Sequence, residues 1–96
     1  MNNLYSYITT NTTTTLTTKP CILSGLTINK TAANGVITIY DGNDASTGTI
    51  IAIITQPGTL IESQVSINFH DITLVNGLVI VTSAAAQDIT VAYRAS

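Results

Sequence analysis

The stretch "ITIYDGNDASTGTIIAII", residues 37–54, sets an acidic, glycine-bearing piece between two isoleucine-rich runs, and its reading decides the fold. A calcium loop of the helix–loop–helix kind places oxygen ligands at its first, third and fifth positions and closes with a glutamate at the twelfth. Here Asp41, Asn43 and Ala45 fill the first three places and Ala52 the last, so the pattern fails twice. Aspartate and asparagine at such spacing bond their own backbone and stabilise tight turns. The piece is therefore read as a hairpin connection between Tyr40 and Ile50, with the flanking runs as antiparallel strands. An irregular cation site made of Asp41, Asn43, Asp44 and backbone carbonyls is the alternative.

Outward from this hairpin, the apolar residues fall into short runs rich in isoleucine, valine, threonine and tyrosine. Turn chemistry breaks them every eight to twelve residues or so, which is an all-β signature. Strands are expected at Leu4–Thr9, Thr13–Thr18, Cys21–Asn29, Val36–Tyr40, Ile50–Thr55, Gln64–His70, Leu78–Ser83 and Ile89–Arg94. Between them lie Ala33-Asn34-Gly35, Gln56-Pro57-Gly58, Asn76-Gly77 and Ala86-Gln87-Asp88, where glycine and asparagine tolerate positive φ and proline presets a corner. No segment keeps a helical period. Parallel strands would need crossovers of about a dozen residues, for which there is little room. The expected fold is an antiparallel β-sandwich or small jelly roll of seven or eight short strands.

Within this single domain, residues 1–20 stand apart. "TTNTTTTLTTKP" is strand-compatible but supplies only Leu16 as a large apolar side chain, so it is expected to be an arm or an edge strand beside a sandwich spanning 21–96. As an arm it would order against a neighbouring subunit, with Leu4, Tyr5, Tyr7 and Ile8 as anchors.

Composition narrows the function. Only 8% of the 96 residues are charged, about a third of the ~25% usual for soluble domains. Lys19, Lys30 and Arg94 are far apart in a chain of net charge −2, so no basic stripe exists to track phosphates and nucleic acid is not an expected partner. No run approaches the ~20 apolar residues of a membrane span, and the N-terminus lacks the pattern of a secretory signal, so synthesis in a cytosol is the expectation. Cys21, the one cysteine, is read as a small buried apolar residue. The threonine-rich chain contains two glycosylation sequons, which imply no glycan without secretion.

Catalytic constellations are equally scarce. His70 sits beside Asp71, but Gln64, Ser66, Asn68 and His70 alternate with Val65, Ile67 and Phe69, which puts the imidazole on the polar face of a strand. Serines stand outside any nucleophile-elbow motif and the six glycines stand singly, so neither an acyl-transfer site nor a phosphate loop is indicated. The chain is not expected to be an enzyme, and no metal or cofactor is implied.

What the strands do carry is surplus apolar surface. Gln64–His70 and Ile89–Arg94 alternate cleanly, as strands do between core and water. Three others are apolar on both faces: in Val36–Tyr40, Ile50–Ile54 and Leu78–Val81, the residues Ile37, Ile39, Ile51, Ile53, Val79 and Val81 form a second row. A sandwich made of one short chain covers only one side of each sheet, so this row is expected to meet another molecule. Burying six such side chains is worth roughly 10–15 kcal/mol gross, before the costs of association.

The succession "CILSGLTINKTAANGVITIYDGNDASTGTIIAII", with "VSINFHDITLVNGLVIVTSAAAQDITVAYR" after it, resembles a group of small tailed-bacteriophage virion proteins of the capsid decoration, cement or head-fibre type. The shared elements are the Cys/Ile strand at Cys21–Asn29, the "ITIYD" strand with its glycine turn, "NGLVIVTS" and the terminal "ITVAYR", over about residues 20–94. The resemblance implies a non-enzymatic structural subunit of the virion. Such a subunit would be a homo-oligomer such as a trimer, seated on or between major capsid subunits or other virion proteins. A reading of another class is a receptor- or glycan-binding fibre module, with Asp41–Thr49 and Ala84–Asp88 as its contact loops. With one phenylalanine and four tyrosines, it would have few aromatic platforms for sugars.

Overall fold

A computed structural model describes residues 4–30, 32–56 and 65–95. They form eight strands: β1 (Leu4–Ile8), β2 (Thr13–Thr17), β3 (Cys21–Lys30), β4 (Val36–Asp41), β5 (Thr49–Thr55), β6 (Val65–Leu74), β7 (Leu78–Ser83) and β8 (Asp88–Ala95). The strands make two four-stranded sheets, ordered β1-β8-β3-β6 and β2-β7-β4-β5, with every pairing antiparallel. β1 pairs with β8, β2 with β7, β3 with β6 and β4 with β5. The chain is thus one long hairpin, bent at the β4–β5 turn and rolled until β8 meets β3 and β7 meets β4. This is a jelly roll.

The stretch 37–54 is the tip of that hairpin, with Ile37 opposite Ile54 and Ile39 opposite Ala52. The same pairing places the described part of the first twenty residues. β1 is an edge strand of one sheet and β2 an edge strand of the other. The link between them is tied down by Thr82, whose buried hydroxyl donates to the Thr10 carbonyl at 2.7 Å and accepts from the Thr12 amide at 3.1 Å.

The core lies between the sheets. Leu23, Leu26, Ile28, Ile89 and Val91 come from the first sheet and Ile37, Ile39, Leu78 and Ile80 from the second, all buried. Strict alternation would not bring Cys21 and Leu23 to the same side as Leu26 and Ile28. A bulge between Leu23 and Gly25 inserts the missing residue and restores the phase. On β6, three residues, Phe69, His70 and Asp71, stand against Ser24 alone. His70 and Asp71 take up the excess with φ of 56° each, a left-handed conformation that costs side-chain-bearing residues about 1–2 kcal/mol apiece. Asn68 Oδ1, accepting from the His70 amide at 2.7 Å, helps hold this kink. After it β6 runs on to Leu74, four residues beyond the end expected from alternation.

Turns follow their chemistry. Asn34 has φ of 62° in the β3–β4 turn and Gly77 φ of 148° before β7. A Cβ on Gly77 would lie 2.5 Å from the carbonyl oxygens of Gly42 and Thr17, so only glycine fits where β2, the β4–β5 loop and the start of β7 converge. In the β7–β8 turn the positive φ falls on Ala84 (70°), and Asp88 already belongs to β8. Gln87 lies in this connection as expected, with its side chain buried. The expected Pro57-Gly58 corner and Gln64 lie outside the described residues.

Candidate functional site

Among the described residues no group of three or more histidine, cysteine, aspartate or glutamate side chains converges, so the candidate sites are surfaces. The outer face of the β2-β7-β4-β5 sheet follows from the register. Thr38 stands between Val81 and Ile53, and Tyr40 between Val79 and Ile50. Val36 extends the row at one end, and Thr13 and Thr15 face Val81 and Val79 across β2. No residue of this row carries a charge. Ile53 is 60% exposed and Ile50 51% exposed, while Val36, Val81 and Tyr40 are half-buried by their neighbours.

This placement corrects part of the expected interface. Ile37 and Ile39 are fully buried between the sheets, because they pair inward with Ile54, Thr82, Ala52 and Ile80; the outward residues of β4 are Val36, Thr38 and Tyr40. Val79 does point outward, yet it is fully buried, flanked in register by Thr15 and Tyr40. Ile51 packs against the core at the β4–β5 bulge. That bulge also turns Ile50 outward alongside Ile53, which strict alternation had put on opposite faces. Of the six expected residues, Ile53 and Val81 are the ones that an outside molecule can touch on this face. Ile50 and Tyr40 join them. Four isoleucines among the five residues 50–54 give no signal of phase, so the bulge could not be read beforehand.

The outer face of the β1-β8-β3-β6 sheet is of another kind. Asn29 Nδ2 donates to Asp88 Oδ1 (3.2 Å) and Thr90 Oγ1 (3.0 Å). Arg94 Nη1 donates to Asp71 Oδ1 and Ser24 Oγ, at 3.2 and 3.1 Å, and the Ser24 hydroxyl donates to the same carboxylate oxygen at 2.9 Å. Arg94, then Ser24, hold the Asp71 carboxyl below the usual carboxylate range. Asp71 is therefore bound to Arg94 and Ser24, while His70 is exposed at the kink. At the edge of this face Tyr5 and Tyr7 are 76% and 59% exposed, and the Tyr7 hydroxyl is held protonated above its ordinary range by its hydrogen bond to Asp88. Of the other expected anchors on β1, Leu4 is exposed, but Ile8 turns inward and is buried in the core.

The β4–β5 loop is occupied with its own folding. Asp41 accepts from the Val75 and Asn76 amides, at 3.2 and 2.9 Å, and so ties the hairpin tip to the β6–β7 turn. Asp44 Oδ1 accepts from the Thr47 amide and hydroxyl (both 2.8 Å) and from the Ser46 hydroxyl (2.9 Å), bonds that lower its pKa. Asn43 faces the carbonyls of Asn76 and Thr18, which orients its amide nitrogen toward them. All three side chains are engaged as turn braces. No group of three or more histidine, cysteine, aspartate or glutamate residues placed to hold a metal occurs among the described residues.

The molecule has two further features, a corner groove and a buried glutamine pair. A groove of about 480 Å³ opens at the corner where β1 begins and β2 ends, lined by Leu4, Leu16, Lys19, Pro20 and Tyr93. Cys21 borders it, a buried thiol whose pKa is raised by burial and by the charge of Asp41, so it stays protonated and unreactive. The other feature is a buried glutamine pair. Gln56 Nε2 donates to Gln87 Oε1, Gln87 Nε2 donates to the carbonyls of Val36 (2.9 Å) and Ser83 (3.2 Å), and Gln56 Oε1 accepts from the Ala32 amide at 2.7 Å. Gly35 lies against both side chains, where a Cβ would come within 2.9 Å. The pair fastens the β3–β4 turn to the ends of β5 and β7. Nothing in the local sequence marks it, because the two residues are 31 positions apart.

Compared with known proteins, the chain matches no protein-family model and no curated protein.

Proposed function

We propose that the protein is a non-enzymatic structural subunit of a virion, a decoration or cement protein that docks the outer face of its β2-β7-β4-β5 sheet on a neighbouring capsid subunit. The observation that carries this reading is the pair Ile50 and Ile53, more than half exposed in a row without any charge. An apolar patch of a few hundred Å² is often the functional surface of a soluble protein. The likeness of the strand motifs to small phage head proteins supports the same assignment, and the jelly roll is a fold that virion proteins use, alongside lectins and cupins.

Size argues for a repeating partner. Four strands about 4.8 Å apart and about six residues long make a footprint on the order of 400 Å². A stable pairwise complex uses about 800 Å² per partner, so one such face binds weakly alone. On a shell, a subunit that also touches a second site gains from effective concentration.

The test is co-sedimentation of the purified chain with empty heads of the parent particle. Wild type is expected to pellet with the heads and Ile53→Lys to remain in the supernatant, while loop changes at Asp44 leave binding intact. Pelleting that ignores Ile53→Lys but fails when the loop is altered would move the protein to the receptor-binding class.

A further inference from the structure

The edge strand β1 reads Leu4-Tyr5-Ser6-Tyr7-Ile8, a near-palindrome about Ser6. It pairs with β8 on one side, and its other side is the margin of the sheet. We infer that this edge pairs with β1 of a second copy across a two-fold axis through Ser6, joining two four-stranded sheets into one of eight.

Self-pairing of an edge needs a strand that fits itself. In an antiparallel two-fold pair centred on Ser6, facing residues have numbers that sum to twelve. Tyr5 then meets Tyr7 of the other copy, and Leu4 meets Ile8. Side chains alternate along β1, so both tyrosines lie on the outer face, while Leu4 and Ser6 share the inner side with the buried Ile8. Aromatic therefore meets aromatic and aliphatic meets aliphatic, and both are favourable cross-strand pairs. Facing positions also have the same parity, so their amides and carbonyls are directed alike and the hydrogen-bond ladder closes. Such a contact is isologous, using the same patch on both copies, and it ends at a dimer.

Among the described residues the edge is also undefended. Sheet margins are normally blunted by lysine, by proline or by a bulge. The register of β1 against β8 runs without a shift, and no residue before Lys19 is charged or a proline. The opposite margin of the same sheet has what β1 lacks: β6 is kinked at His70 and Asp71 and carries a carboxylate there. Tyr5, Tyr7 and Leu4, all more than half exposed, are the residues that pairing would cover. Five residues span only about 17 Å of strand. The contact is thus smaller than the ~800 Å² per partner of a stable complex, and a dissociation constant on the order of micromolar is expected.

This inference goes beyond docking and stands without it, since Ile53 lies on the other layer of the sandwich. Sedimentation equilibrium of the full chain over a dilution series tests it. Wild type is expected to rise from 10.1 kDa toward twice that mass with concentration. Tyr5→Lys with Tyr7→Lys sets like charges face to face and should stay monomeric. Tyr5→Glu with Tyr7→Lys sets each new carboxylate opposite a new ammonium, places the lysine beside Asp88, and should dimerise again. A merely misfolded edge would not recover in this way. The inference is overturned if wild type stays monomeric, if the double-lysine chain associates like wild type, or if the glutamate–lysine chain fails to recover. It is also overturned if Ile53→Lys, which tests docking, by itself dissolves the dimer, because copies would then be meeting through their sheet faces.

Discussion

The two outer faces of this sandwich each belong to a four-stranded antiparallel sheet, and they differ in how their side chains are satisfied. On the β1-β8-β3-β6 sheet, Asn29, Asp88, Thr90, Arg94, Asp71 and Ser24 bond one another across strands and still face water. On the β2-β7-β4-β5 sheet, valine, isoleucine and threonine stand in register with no charge among them. A sheet face that carries its own hydrogen-bonded lattice has little to gain from a partner. An apolar one loses contact with water only when something covers it. The pairing of β4 with β7 and β5 that buries Ile37 and Ile39 on one side leaves Ile53 and Val81 on the other, so the inner and outer rows of one sheet do different work.

That contrast can be broken in several ways. The largest effect is expected inside: Ile39→Ala removes a fully buried side chain and should lower unfolding free energy by about 2–5 kcal/mol, read from denaturant midpoints. The neighbouring change Thr38→Ala, on the outward row, should stay within about 0.5 kcal/mol. Equal losses would erase the distinction between the rows. Next, Ile53→Lys should weaken binding to heads by at least about tenfold with its melting temperature nearly unchanged, whereas Ser66→Lys on the exposed outer side of the opposite sheet should bind normally. Gln87→Leu would leave the Gln56 amide and the carbonyls of Val36 and Ser83 without their partner, and a cost of about 1–3 kcal/mol is expected in thermal or chemical unfolding.

The smallest effect concerns pH. Asp71 and Asp44 both have carboxyl pKa values lowered in the folded chain, by Arg94 and Ser24 in one case and by Thr47 and Ser46 in the other. Their contribution is therefore fully present above the unfolded carboxylate value of about 3.9, and it fades as pH falls through the lower folded values. Melting temperature should be flat near neutrality and drop in the acid range. Asp71→Asn should show a shallower acid drop than wild type. An unchanged slope would mean that the Arg94 contact contributes nothing on that face.

Much of this architecture is carried by local chemistry. β-branched runs, glycine and asparagine turns and the failed calcium spacing of Asp41–Ala52 lead to eight short antiparallel strands, because propensity and turn type act over a few neighbouring residues. The lack of charge that makes one face a docking candidate is likewise a property of composition. Tertiary structure alone decided which row of a doubly apolar strand faces inward. Ile37 and Ile39 went to the core and Val36 and Tyr40 outward, since that choice depends on what lies across the sandwich and on bulges that shift phase at Ser24 and Ile51. It alone joined Gln56 to Gln87 and Asp71 to Arg94, pairs distant along the chain that meet only after the hairpin has rolled up. Periodicity is set within one strand, whereas burial is set by the strands packed against it.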